Sequence, residues 1–234
     1  TAHRIWTRVR EEYPEQTISE SQVRRYVRKR KRECGLVADE IFVPQSYQPG
    51  QEAQVDWYEA IVKVGGQERK LSFFTMRSMA SGDAFHCAYP HATQQALLDG
   101  HERAFAYFGG VFRTLRYDNM GSLVRKILRG YQRIETDRMI AFRSHWGFRS
   151  EYCNPAKGNE KGGVEGEVGR FRRNHLTPVP EVADIDGLNE RLLAHCWEER
   201  KRRIGGRTET VGEASVAERG VLQPLAGEGF PLEE

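Results

Sequence analysis

The stretch Gln51-Glu52-Ala53-Gln54-Val55-Asp56-Trp57 reads as an extended run of alternating apolar residues, and the acidic Asp56 is out of place in it. Two other carboxylates stand in comparable settings. Asp118 ends the strand-like run Val111-Phe112-Arg113-Thr114-Leu115-Arg116-Tyr117-Asp118-Asn119. Glu165 closes Lys157-Gly158-Asn159-Glu160-Lys161-Gly162-Gly163-Val164-Glu165, where a glycine-rich loop gives way to a basic helix. A buried, unpaired carboxylate is costly, so each needs a cation or a hydrogen-bond network. Hard oxygen ligands of this kind suit Mg²⁺ or Mn²⁺ better than zinc.

Order and spacing extend the pattern. The motifs Gln54-Val55-Asp56-Trp57, Tyr117-Asp118-Asn119 and Lys161-Gly162-Gly163-Val164-Glu165, with Glu218-Arg219-Gly220-Val221-Leu222-Gln223-Pro224-Leu225 in the tail, cover about residues 50 to 225. Together they resemble the DDE recombinases, polynucleotidyl transferases with an RNase H-like core, and within them the IstA-type bacterial insertion-sequence transposases. Glu165 follows Asp118 by 47 positions (165 − 118), a longer gap than retroviral integrases have, which favours a transposase branch with extra chain between the two.

The resemblance implies an α/β fold with a mixed five-stranded sheet in the order βββαβαβα. It implies two Mg²⁺ ions (Mn²⁺ substituting) held by Asp56, Asp118 and Glu165. Its partners would be double-stranded DNA at transposon ends and target, a second copy of the chain in a dimer or larger assembly, and an AAA+ helper ATPase. The implied setting is the bacterial cytoplasm. The chain has no Gly-x₄-Gly-Lys-[Ser/Thr] run, so ATP hydrolysis would fall to the partner.

Composition is compatible with this. The 234 residues are 38% apolar, enough for one sizeable core with appendages. No run approaches the roughly 18 apolar residues of a membrane span, and no signal-peptide pattern is present. The chain begins Thr1-Ala2-His3 and is expected to be a piece of something longer. Cys34, Cys87, Cys153 and Cys196 form no Cys-x-x-Cys pair, which argues for a reducing compartment and against structural zinc.

A net charge of +3 says little, but its distribution says more. Seven of the nine residues from Arg24 to Arg32 are basic: Arg24, Arg25, Arg28, Lys29, Arg30, Lys31 and Arg32. Lys157, Lys161, Arg170, Arg172 and Arg173 bracket the third carboxylate. Such clusters supply salt-sensitive phosphate contacts, although a single charge run is often only a solvated helix face. All twelve, with Asn119, are candidate DNA contacts.

Element signals follow in order. Residues 1–35 read as helical, the end of a helix-turn-helix-like DNA-binding region, with a capping box at Ser19 and Gln22. Residues 36–50 form a linker punctuated by Pro44, Pro49 and Gly50. The core spans 51–180. Gln54–Val64 and Glu68–Met76 make a hairpin about Gly65-Gly66, and Asp83–Tyr89 a third strand. Thr93 starts a helix that Gly109-Gly110 stops. Val111–Tyr117, a helix over 136–145, a strand over 149–153 and a helix over 163–175 complete it. A helix within 181–204 uses Leu188, Leu192, Leu193 and Trp197. Residues 205–234 are expected as an extended tail in which Leu222–Leu225 can dock. Trp57, Trp146 and Trp197 are expected in the core, and the seven histidines, without metal-ligand spacing, as surface or satisfied residues.

Each carboxylate also has an ordinary explanation. Asp56 could face solvent from an edge strand, Asp118-Asn119 could be a plain turn, and Glu165 could serve the helix dipole. Glu160 and Glu167 are rivals for the third position. Glu167 lies roughly 200° round the helix from Glu165, so the two cannot both point inward. Lys161, Glu165 and Val168 share a face, which favours Glu165.

Overall fold

A computed structural model describes residues 1–35, 46–117, 124–127, 133–153 and 162–232, with side chains left aside at 124–127, 133, 134 and 162. The chain divides into two compact units, Thr1–Gln45 with Gly169–Pro178, and Ser46–Val168 with Val179–Glu234.

The first unit carries helices α1 (Ala2–Glu12) and α2 (Glu20–Glu33). The expected capping box at Ser19 and Gln22 starts α2. Val23 is its buried residue, and the basic residues from Arg24 to Arg32 are exposed. Trp6 Nε1 donates to the Ile18 carbonyl at 2.8 Å, so this indole is used in joining the two helices.

The second unit is built on strands β1 (Glu52–Val64), β2 (Gln67–Ser78) and β3 (Ala84–Tyr89), then α3 (Gln94–Phe108) and β4 (Thr114–Tyr117). In chain order there follow β5 (Val124–Ile127), β6 (Arg133–Glu135), α4 (Asp137–Trp146), β7 (Arg149–Tyr152), α5 (Gly162–His175), whose residues from Gly169 on belong to the first unit, β8 (Glu181–Val182), α6 (Ile185–Glu199) and α7 (Val211–Arg219). The main sheet runs β3-β2-β1-β4-β7, with β8 added beside β1. β1, β2 and β3 are antiparallel neighbours, while β4 and β7 join parallel. This is an RNase H-like sheet, with the expected five strands in the expected order. β8 is a sixth strand, and β5–β6 form a separate two-stranded sheet in the long interval before Glu165.

Local chemistry explains the elements. β1 alternates after Trp57, burying Tyr58, Ala60, Val62 and Val64 while Glu59 and Ile61 face out. Gly65 and Gly66, at φ 56 and 79, supply the left-handed turn that begins β2. α3 is capped by Thr93 and stopped by Gly109 in the left-handed conformation. It lies against β2 so closely that a Cβ at Gly100 would stand 2.8 Å from the Phe74 ring.

Three expectations need correction. The inner side of α6 is Leu188-Leu192-Cys196, whereas Leu193 is 38% and Trp197 44% exposed. Trp197 is instead covered by Arg200, whose guanidinium lies 4.0 Å from its ring centre. Within the stretch read as extended, Thr210 and Glu213 form a capping box and start α7.

Candidate functional site

β1 pairs with β4 only from Glu52 to Val55, and its next parallel partner, β8, begins at Lys63. Asp56 is therefore the first residue of β1 past its described pairing with β4. Tyr117, the last residue of β4, pairs with Val55, and Cys153 N donates to the Tyr117 carbonyl at 2.9 Å. The described chain thus ends one residue short of Asp118 at the level where β1 is one residue short of Asp56. Asp118, Asn119, Lys157 and Lys161 lie outside the described residues.

Asp56 is half-buried and accepts from the Trp57 N–H at 2.9 Å. The Asp56 level of the sheet continues through Thr75 on β2 to His86 on β3. One repeat behind it lies a row of Arg77, Gln54, Arg116 and Glu151 on β2, β1, β4 and β7. Arg116 grips Glu52 through two hydrogen bonds, at 2.9 and 3.0 Å, and reaches Glu151 at 2.7 Å. Those hydrogen bonds, donated to Glu52, hold the guanidinium pKa above its ordinary value. This ionic ladder fixes the register of β1, β4 and β7 just behind Asp56.

Gln54 has a second task. Its Oε1 accepts from the Val164 N–H at 3.2 Å, which attaches the first turn of α5 to β1 two residues from Asp56. Side chains two apart on a strand share a face, so α5 begins on the face that carries Asp56. Glu165 stands in that first turn, exposed and without an ion pair among the described residues. Glu167 points the other way and is only 4% exposed. Arg202 donates to it at 2.9 Å, Arg77 Nε lies at 3.9 Å and His86 Nε2 at 3.8 Å. Glu167 is thereby engaged by protein cations, while Glu165 is open to solvent. The structure separates the two rivals as the helical angle requires.

Other expected residues distribute plainly. Arg24, Arg25, Arg28, Lys29, Arg30, Lys31 and Arg32 form the exposed side of α2, with Arg24 tied to Glu20 and Arg30 to Glu33, each at 2.6 Å. Arg172 and Arg173 are exposed and Arg170 is half-buried. His86 and His101 are satisfied buried residues, as expected. His101 Nδ1 faces the Leu97 carbonyl at 2.7 Å, and Nε2 faces the Tyr117 hydroxyl at 2.8 Å. A carbonyl only accepts, so Nδ1 carries the proton and Nε2 accepts from Tyr117. Burial lowers the His101 pKa to about 4.

Among the described residues, no three His, Cys, Asp or Glu side chains gather as a metal site. The donors that fit are the Asp56 and Glu165 carboxylates, hard oxygen ligands that suit Mg²⁺ or Mn²⁺. No described helix is long and apolar enough to cross a membrane.

Sequence reasoning missed the tail's role in holding the site. Glu218, 2% exposed, accepts from the Gly50 N–H at 2.8 Å and the Ser78 hydroxyl at 2.6 Å, clamping the entry to β1 against the end of β2. Arg219 Nε donates to the Phe108 carbonyl at 3.0 Å, and Gln223 forms a bridge with Val111 ahead of β4. A glutamate beside an arginine in a tail reads as surface charge, so only the fold exposes this use.

No family model matches the chain. In sequence it is similar to a transposase of Aminobacter aminovorans, 34% identical over 198 residues, covering 84% of this chain and 39% of the relative. A transposase for insertion sequences IS1326/IS1353 of Pseudomonas aeruginosa is 32% identical over 187 residues, covering 79% of this chain and 36% of the relative. The chain therefore spans less than half the length of these curated relatives. A chain in the cryo-EM structure of the simian T-cell lymphotropic virus intasome in complex with PP2A regulatory subunit B56 gamma shares the fold. It aligns at TM-score 0.53 and 12% identity, covering 99% of this chain and 79% of that one.

Proposed function

We propose that this chain, a relative of the insertion-sequence transposases, carries the catalytic core of a DDE transposase of the IstA type. The observation that supports it best is the meeting of elements at Asp56: β4 pairs with β1 up to Val55, and Gln54, two residues from Asp56, attaches the first turn of α5, which carries Glu165. Residues 51–180 would be the catalytic core, 1–35 the end of a DNA-binding region and 36–50 their linker. Residues 181–204 would supply a helix that supports the core, and 205–234 would lead on to a C-terminal region.

Asp56, Asp118 and Glu165 would hold two Mg²⁺ ions, with Mn²⁺ able to substitute; bound there, they would activate a nucleophile and stabilise a leaving 3′ oxygen. The protein's own task is placement. The Glu52-Arg116-Glu151 ladder and the Gln54 bond hold β1, β4 and α5, and with them the carboxylates. Positioning and charge neutralisation supply most of the rate in such transfers.

First, water attacks the phosphodiester at each transposon 3′ end and frees a 3′ hydroxyl. That hydroxyl then attacks a target phosphodiester; a new P–O bond forms, the target's own 3′ oxygen leaves and takes a proton, and no bond to the protein forms. Arg24, Arg25, Arg28, Lys29, Arg30, Lys31 and Arg32, with Asn119, Lys157, Lys161, Arg170, Arg172 and Arg173, would contact DNA phosphates. Paired cutting of two ends calls for a dimer or larger assembly. An AAA+ helper ATPase would select the target, in the bacterial cytoplasm.

The test is strand transfer from pre-cut transposon-end DNA into supercoiled plasmid with Mg²⁺ or Mn²⁺, helper present and absent. Cleavage restricted to RNA–DNA hybrids would mark an RNase H-type nuclease instead. Metal-insensitive DNA binding without any cleavage would mark a non-catalytic DNA-binding protein.

A further inference from the structure

A cleft of about 370 Å³ opens at the other end of the parallel strands, lined by Gln51, Arg113, Thr114, Gly147, Arg149 and Gln223. It is formed where β4 and β7 begin, the Arg149 N–H donating to the Arg113 carbonyl at 2.9 Å. Gln51 precedes Asp56 by five residues along extended chain, so the cleft lies about 17 Å from the candidate catalytic row at roughly 3.3 Å per residue. One phosphate group cannot occupy both places.

The lining is rich in donors. Arg113 and Arg149 are exposed and make no side-chain hydrogen bond or ion pair among the described residues, and Gln51 is likewise open. Thr114 is only 5% exposed, yet it lines the cleft. Gln223 is held in place by the tail, its Nε2 donating to the Phe112 carbonyl at 3.4 Å. Among the described residues, no carboxylate lines the cleft. Two guanidinium forks, an amide and a hydroxyl around one opening make a receptor for a tetrahedral oxyanion.

We propose that this cleft is a second phosphate-binding site, which grips a backbone phosphate of duplex DNA away from the reacting bond. The proposal rests on the DNA-acting reading above and adds an anchor at the opposite end of the sheet. Its position also gives the tail motif a purpose, since Gln223 completes the lining and the Gln223–Val111 bridge fixes the segment that carries Arg113.

The test measures how binding of the full chain to a labelled duplex depends on salt, by fluorescence anisotropy. The unaltered protein is compared with Arg113→Gln/Arg149→Gln, Arg113→Lys/Arg149→Lys and the exposed control Arg69→Gln. The slope of log affinity against log salt is expected to fall by about 1 in the glutamine pair, as one phosphate contact is lost. It is expected to recover largely in the lysine pair and to change little in the control.

Calorimetric titration with inorganic phosphate forms the second arm. Saturable phosphate binding abolished by the glutamine pair, with an unchanged DNA slope, would assign the cleft to a free phosphate and overturn the backbone contact. No phosphate binding and an unchanged slope would overturn the site altogether. Circular dichroism melts confirm that the variants fold. Strand transfer is read in parallel with the unaltered sequence inside a protein that includes the additional length of its relatives, helper ATPase present. Products alongside an unchanged slope remove only the cleft, whereas a reduced slope without products keeps the cleft and removes the transposase reading.

Discussion

Glu165 and Glu167 stand two positions apart on α5, and their surroundings give them different work. Glu167 is buried against Arg202, Arg77 and His86, so its removal takes a carboxylate from two half-buried guanidiniums and an imidazole. Glu167→Ala is expected to cost about 3 kcal/mol in urea denaturation. Glu167→Gln, which keeps the shape and one hydrogen-bond acceptor, is expected to lose less stability and still yield strand-transfer product. Glu165→Gln should do the reverse, abolishing product with a change in stability within about 0.5 kcal/mol, because the side chain is exposed.

His101 gives a pH-dependent expectation at the same scale. Its folded pKa, about 4, lies below the ordinary value of 6.5, so the folded state holds the ring neutral. Stability from this group is fully present above pH 6.5. It is lost as pH falls from 6.5 towards 4, where the unfolded chain binds a proton that the folded chain refuses. His101→Gln should flatten that part of the stability–pH curve in denaturation followed at several pH values. The same substitution removes the ring from Tyr117 at the end of β4, so slower strand transfer is expected with it.

Among the elements, the tail holds the sheet. Glu218 joins the entry to β1 with the end of β2, while Asp83 accepts from Arg200 at 2.8 Å, Ser215 at 2.8 Å and Tyr107 at 2.8 Å, tying α6 and α7 to α3 and β3. Glu218→Ala strands the Gly50 N–H and the Ser78 hydroxyl, and a loss of about 3 kcal/mol is expected in chemical denaturation. An unchanged midpoint would show that the clamp contributes nothing. The strands, α2 and α3 were legible because period, turn glycines and capping residues act locally. The inner side of α6 was misjudged because Arg200 covers Trp197 from outside the helix. α7 was missed although its capping box, Thr210 and Glu213, is present in the sequence; the glycine- and glutamate-rich context masked it.

In the whole molecule, the order of strands and helices could be read because an acidic residue in an apolar strand has few explanations, and three in sequence have fewer. The hydrogen bond from Val164 to Gln54 that attaches α5 beside Asp56 could not, since it joins residues 110 positions apart. The buried partners of Glu167 were equally hidden, because Arg77, His86 and Arg202 are distant in sequence. Asp118 lies outside the described residues and rests on sequence alone. If the three carboxylates hold Mg²⁺, chelation should abolish strand transfer, and adding back Mg²⁺ or Mn²⁺ should restore it.

The most direct measurement is strand transfer by the unaltered chain beside Asp56→Asn, Asp118→Asn, Glu165→Gln and Glu167→Gln. It is run within a protein that includes the additional length of its relatives and in the presence of the helper ATPase. Joined product is expected with the unaltered chain and Glu167→Gln, and none with the other three. Product surviving Asp56→Asn, or lost with Glu167→Gln but kept with Glu165→Gln, would contradict it.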